Sequence, residues 1–192
     1  MRGETHRVGV LAIQGAVDKH LQALERIGAR GQPVLRKEHL TGLRALTMPG
    51  GESTTISKGL ARLELYDPIR EYVRSGGAVL GTCAGAILLA RKAENHSVPT
   101  LGLLDVRAIR NAYGTQVDSF AALSDTTGDP FLAGMRCIFI RAPQLDQPGP
   151  GVEVLLRVDD CPVLVRQGKV LASTFHPELG ADDRLHELLL SL

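Results

Sequence analysis

From residue 78 onward the chain passes from Ala78-Val79-Leu80, an apolar run of strand length, through Gly81-Thr82-Cys83-Ala84-Gly85 into residues 84–91, which are rich in good helix formers. A buried strand that hands over to a helix within a few residues belongs in a sheet covered by helices. The same succession stands upstream. Residues 8–13 form a short apolar run ended by Gln14-Gly15, and residues 17–27 then place Val17, Leu21, Leu24 and Ile27 on one helical face. A second short run, residues 33–35, is followed by residues 43–48, which stop at Pro49-Gly50-Gly51. Ser53, Thr54 and Thr55 offer helix caps, and residues 68–74 read as a further helix broken by Ser75-Gly76-Gly77. Strands alternating with helices require right-handed crossovers, so the predicted fold class is α/β, with a doubly wound, mostly parallel sheet flanked by helices on both faces. Beyond residue 100 the runs are short and strand-like, at 103–110, 119–123, 136–141, 152–158, 162–165 and 169–173. Residues 182–192 close the chain as a helix, with Leu185, Leu188 and Leu189 on one side.

Composition narrows the function. The 192 residues, 44% of them hydrophobic, suit one domain spanning 1–192 with a single sizeable core. Lys and Arg number 22 against 21 Asp and Glu, which leaves no net field to attract nucleic acid or an anionic membrane. The most apolar stretch, residues 78–90, is interrupted by Gly81, Thr82, Cys83 and Gly85 and falls short of the roughly 20 residues a membrane span needs. The apolar run near the start is too short for a signal-peptide core, so a cytoplasmic location is expected. Cys83, Cys137 and Cys161 are widely spaced and form no CxxC pair, which predicts neither a disulfide framework nor a metal site. Aromatic residues make up only 4%, with no tryptophan, which argues against base-stacking and sugar-binding surfaces.

Three predicted strand ends carry chemistry, and sites in such sheets lie at the carboxyl ends of the strands. Gly81-Thr82-Cys83-Ala84-Gly85 has the G-x-nucleophile-x-G form of a nucleophile elbow, whose glycines relieve crowding at a strained strand-to-helix turn. Cys83 would point into solvent there, its thiolate favoured by the helix end that begins at Ala84. The alternative is a small buried apolar residue, the reading preferred for Cys137 and Cys161. A cysteine nucleophile needs a base. His176 lies two positions before Glu178, and in an extended segment the two side chains would point the same way, so that Glu178 orients the imidazole. His6, His20, His39, His96 and His186 have no such context. Gly50-Gly51 offers bare N–H groups suited to an oxyanion, or a plain tight turn.

The chain closely resembles the glutaminase subunits of pyridoxal 5'-phosphate synthase, a family of class I glutamine amidotransferase-like proteins with a flavodoxin-like three-layer fold. The resemblance rests on Leu11-Ala-Ile-Gln-Gly-Ala-Val17, Pro49-Gly-Gly-Glu-Ser-Thr-Thr55, Gly81-Thr-Cys-Ala-Gly-Ala-Ile-Leu-Leu-Ala90, Arg110-Asn-Ala-Tyr-Gly114, Phe139-Ile-Arg-Ala-Pro143 and Phe175-His-Pro-Glu-Leu179, and runs from Val8 into the last helix. It implies Cys83 as nucleophile, His176 as general base and then acid, and Glu178 as the orienting carboxylate. Gly51, Glu52, Ser53, Arg110, Ile140 and Arg141 match the positions through which the family holds L-glutamine. The oxyanion would be held by backbone N–H groups of Gly51 and Ala84. Two positions depart from the family pattern: Thr115 stands where arginine is common, and Gly180 where threonine is common.

The implied reaction hydrolyses L-glutamine to L-glutamate and ammonia, with no cofactor and no metal. The ammonia passes to a synthase subunit in a large hetero-oligomer, which uses it to make pyridoxal 5'-phosphate. Gln14, at the end of the first strand, is close enough in a parallel sheet to relay contact with that subunit to Gly50-Gly51. A glutaminase of another pathway, or a catalytically silent regulatory partner, are the competing readings.

Overall fold

The structure is a computed structural model and describes residues 6–95, 98–110, 119–125 and 129–192. In chain order the elements are β1 (Arg7–Leu11), α1 (Val17–Arg26), β2 (Arg30–Val34), β3 (Ala45–Met48), α2 (Ser53–Arg62), α3 (Tyr66–Arg74), β4 (Ala78–Thr82) and α4 (Ala84–Leu89). There follow β5 (Ala90–Glu94), β6 (Leu104–Ile109), β7 (Ser119–Leu123), β8 (Arg136–Ile140), β9 (Gln144–Asp146), β10 (Glu153–Val158), β11 (Cys161–Gln167), β12 (Val170–Ser173) and α5 (Arg184–Ser191). Among the described residues no helix is long and apolar enough to cross a membrane.

The main sheet has seven strands in the order β10-β11-β12-β4-β3-β1-β2. From β12 to β2 all neighbours are parallel, whereas β10, β11 and β12 run antiparallel to one another. Its parallel part, read β2-β1-β3-β4-β12, has the flavodoxin-like strand order, so the predicted doubly wound sheet is present. Both faces are covered. On one side Leu46, Met48, Val79 and Ala172 pack with α2, α3 and α4. On the other Ala45, Ala78, Leu80 and Leu171 pack with α1, α5 and β8. Consecutive strand residues thus serve opposite cores, as the period of two in a strand dictates. The remaining strands form a three-stranded sheet, β5-β6-β9, and a β7-β8 pair.

Two local expectations are corrected, and one short strand has no counterpart in the sequence pattern. The helix read as 84–91 ends at Leu89. Ala90 then turns extended, at φ −58° and ψ 156°, and begins β5, which is hydrogen-bonded to β6. Tertiary pairing here overrides helix propensity. The cap of α2 is Glu52, which accepts from the Thr55 N–H, while Ser53 is already helical. The three-residue β9 is too short to leave a periodic pattern.

Glycine decides how closely the central elements approach. A Cβ on Gly85 would lie 2.0 Å from the Met48 carbonyl oxygen, and one on Gly81 would lie 2.6 Å from the Gly85 carbonyl carbon. Only bare backbone lets α4 start so close against β3. Gly85→Ala should therefore cost about 2 kcal/mol or more through overpacking. Gly180→Ala, whose nearest neighbours would be 3.7 Å away, should stay within about 0.5 kcal/mol of wild type. Urea titrations of both variants check this; equal midpoints would contradict the close-approach explanation.

Candidate active site

Register brings the site together. Met48 of β3 pairs with Gly81 of β4, and Ser173 of β12 pairs with Thr82, so three adjacent strands end at one level. Pro49-Gly50-Gly51, Cys83 and Thr174-Phe175-His176 leave from those ends. They wall a cavity of about 360 Å³ lined by Gly51, Glu52, Ser53, Cys83, Ala84, Arg110, Ile140, Arg141 and His176. Every predicted substrate-binding residue therefore borders the cavity, as do the predicted nucleophile and base.

Cys83 has φ +49° and ψ −103°. That is left-handed backbone for a non-glycine residue, costing on the order of 1–3 kcal/mol, as a nucleophile elbow requires. The side chain is not out in solvent as expected. Cys83 is 7% exposed, with Sγ 3.8 Å from the Ile140 carbonyl oxygen, because the β8 end folds over the elbow. Gly50 is wedged beside it: a Cβ there would meet His176 Cε1 at 2.4 Å and Cys83 Cβ at 3.2 Å. The other two cysteines are also unpaired, and Cys137, held in β8, has its thiol pushed up to about 12 by burial first and by the Asp182 charge.

His176 Nδ1 lies 2.7 Å from Glu178 Oε1. The backbone does not reach this by the extended geometry expected. Residues Pro177–Leu179 form a single 3₁₀ turn, with His176 at its start and its N–H bonded to the Ile138 carbonyl at 2.8 Å. The turn folds Glu178 back beneath the ring, where its side chain is fully buried. A carboxylate can only accept, so Nδ1 carries the proton and Nε2 is left for the cavity. Burial opposes a charge on His176, but the Cys83 sulfur and the Glu178 carboxylate outweigh it and raise the imidazole to about 10. Burial likewise acts against ionised Glu178, yet its bond to His176 and the facing His20 hold it below the usual carboxylate range.

The substrate wall has its own order. Glu52 Oε2 caps α2 at Thr55, while Oε1 takes Arg110 Nη2 at 3.0 Å. The Glu52 N–H donates to Gln14 Oε1 at 2.8 Å, so Gln14 grips the loop that carries Gly51. Arg141, at φ +43°, turns the chain sharply out of β8. Of the two family departures, Gly180 follows the 3₁₀ turn in extended backbone, and Thr115 lies outside the described residues.

Sequence reasoning passed over His20 and His186. Both are fully buried and touch each other, and His20 faces Glu178. The signal was available: His20 stands three residues after Val17 and four before Leu24, on the apolar face of α1. A polar residue there needs a buried partner.

This fold and site define the glutamine amidotransferase class. The chain belongs to the SNO glutamine amidotransferase family, whose model matches residues 10–191. It is 50% identical to the "Pyridoxal 5'-phosphate synthase subunit PdxT" of Thermus thermophilus, over 96% of each chain. It is 47% identical to the protein of the same name from Koribacter versatilis, over 97% of this chain and 95% of that one. A solved structure described as a glutamine amidotransferase superposes with TM-score 0.90 at 49% identity, covering 96% of this chain and 97% of that chain. PurLQS from Thermotoga maritima shares the fold at TM-score 0.68 and 19% identity, covering 97% and 98%.

The buried histidines set the acid limit of stability. Burial lowers His20 and His186 from 6.5 to about 4, so between those values the unfolded chain binds protons that the native one refuses. Stability falls as pH drops through this window, and protonation of Glu178 removes more below it. His176 has the opposite sign: its contribution is complete below 6.5 and disappears as pH rises toward 10. Urea midpoints should peak near neutral pH and drop steeply toward pH 4; a flat profile from pH 7 to 4 would contradict the assignment of neutral buried histidines.

Proposed function

We propose that the chain is the glutaminase subunit of a pyridoxal 5'-phosphate synthase, releasing ammonia from L-glutamine for a synthase subunit in a hetero-oligomer. The observation that carries this is the Cys83 elbow sharing one cavity with His176, whose far nitrogen is fixed at 2.7 Å by the buried Glu178. Family membership and the names of the relatives point the same way. A cytoplasmic location and a single domain over residues 1–192 belong to the same reading.

In this reading Gly51, Glu52, Ser53, Arg110, Ile140 and Arg141 hold glutamine with its side-chain amide over Cys83. The thiolate attacks the amide carbon, and the oxyanion is taken by the N–H groups of Gly51 and Ala84. Imidazolium at His176 gives its cavity-facing proton to the departing nitrogen, which leaves as ammonia and a glutamyl thioester. His176 then takes a proton from water, whose oxygen attacks the thioester and expels the thiolate as glutamate forms. Glu178 stays ionised throughout and keeps the ring oriented.

Glutamine hydrolysis without a consumer wastes ammonia, and the Gly50-Gly51 peptide can rotate into or out of a competent oxyanion geometry. Gln14, bonded to the next N–H along that loop, is placed to couple this rotation to the synthase subunit. A partner that prefers the competent form raises its population about tenfold for each roughly 1.4 kcal/mol of preference.

Glutamate release, measured with and without saturating synthase subunit, tests the reading. Cys83→Ala should lose at least about a thousandfold while remaining folded, and Glu178→Gln should lose less than His176→Asn. The wild type alone should be slow and the complex fast, with Gln14→Ala weakening the activation. Substantial hydrolysis by Cys83→Ala would refute the nucleophile; full activity without partner would refute the switch. Activity that the synthase subunit leaves unaltered favours a glutaminase of another pathway, and none under any condition favours a silent regulatory partner.

A further inference from the structure

Behind the Cys83-His176-Glu178 line lies a second polar layer that the proposed reaction leaves unused. His20 of α1 and His186 of α5 are each 0% exposed, and His20 Nδ1 sits 3.0 Å from His186 Nε2. The other nitrogen of His20, Nε2, is 3.3 Å from Thr82 Oγ1 and 3.4 Å from Glu178 Oε2. Thr82 Oγ1 in turn accepts the Gly50 N–H at 3.1 Å. Glu178 Oε2 has no hydrogen-bond partner of ordinary geometry, and the His20 nitrogen at 3.4 Å is the polar group that faces it.

These contacts select one proton arrangement. Glu178 is an acceptor only, fully buried, with Oε1 already given to His176. With the His20 proton on Nδ1, a lone pair would face the buried Glu178 Oε2 charge across 3.4 Å with no positive group to offset it, the costlier kind of defect. With the proton on Nε2, His20 donates to Thr82 Oγ1 and turns the positive end of that N–H toward Glu178 Oε2 at 3.4 Å, while its Nδ1 accepts from His186 Nε2–H. His186 Nδ1 is then left as a neutral lone pair, the cheaper defect, and the N–H of His20 is the polar hydrogen that faces Glu178 Oε2.

We infer that His20, braced by His186, is a positioning residue: as a neutral Nε2–H donor it fixes the second oxygen of Glu178 and, through Thr82, the Gly50 end of the oxyanion loop. Burial is what keeps this layer neutral, against the pull of Glu178 on both histidines and of Asp183 on His186. His20 faces His186 and His176 as well as Glu178, and burial keeps it neutral down to about pH 4. His186 faces Glu178, Asp183 and Arg26. Glu178 faces His20 and His176, and His176 has Cys83 beyond it. A donor lost from Glu178 makes its ionised form less favourable, so the pH at which it protonates moves up.

The inference rests on the glutaminase reading, and two measurements keep the two separable. The first is glutamine hydrolysis by the complex with its synthase subunit, across pH, for wild type, His20→Leu and His20→Gln. Leucine removes the donor; glutamine keeps a neutral N–H near the Nε2 position. His20→Leu should lower kcat about ten- to hundredfold, the usual effect of losing such a supporting partner, with KM within about twofold. The acid limb of its kcat/KM profile should move to higher pH, and His20→Gln should restore most of the rate and the profile. Equal losses in both variants with a wild-type pH profile would mean that His20 only fills space, and no loss in either would end the inference. The second is nitrogen NMR of histidine-labelled wild-type protein at neutral pH, which needs neither turnover nor a variant that folds. It should find His20 neutral with its proton on Nε2; a proton on Nδ1, or on both nitrogens, overturns the arrangement. Absence of glutamate release by the wild-type complex would instead count against the glutaminase reading.

Discussion

Everything at the carboxyl edge of the sheet depends on backbone meeting backbone where side chains have been removed. Gly85 sets the first turn of α4 against the Met48 carbonyl, Gly81 leaves room beneath it, and Gly50 slips past the His176 ring. With these contacts made, the three strand ends cannot diverge, and Cys83 is forced into its strained turn between them. The packed cores on both faces of the sheet supply the energy that holds this strain, and the cavity stands at the carboxyl ends of β3, β4 and β12.

Charge is arranged in depth behind that edge. Cys83 and His176 meet the cavity, Glu178 lies behind the ring, and His20 and His186 lie fully buried behind the carboxylate. In such low-dielectric surroundings a satisfied hydrogen bond is strong and an unsatisfied one expensive, so the order of protons along the line is well determined. The innermost members of this line come from α1 and α5, the two helices on the same face of the sheet. Helix packing and site electrostatics are thus one problem: a shift of α1 moves His20 relative to Glu178, and the chain leading into α1 carries Gln14 against the loop of Gly51.

The sheet's parallel half and the elbow were legible because they have local signatures: short apolar runs ended by glycine, and a cysteine between two glycines that only a tight strand-to-helix turn explains. His176 and Glu178 were legible as a pair, although a 3₁₀ turn rather than an extended strand joins them. What escaped was whatever depends on partners distant in the chain. His20 and His186 are separated by 166 residues and meet only because α1 and α5 pack side by side. The strand at Ala90–Glu94 forms because β6 is there to receive it, against the preference of a sequence that continues a helix. The burial of Cys83 follows from β8 lying over it, which no window around residue 83 contains.

The most direct probe of the site is covalent. A glutamine analogue bearing a chloroketone in place of the side-chain amide presents the same recognition groups and captures the attacking thiolate. Intact-mass and peptide mass spectrometry of the chain in complex with its synthase subunit should find one adduct per chain, on Cys83, with Cys137 and Cys161 unmodified and the adduct absent when excess glutamine is present. Modification spread over the cysteines, or unaffected by glutamine, would contradict a glutamine site built on Cys83.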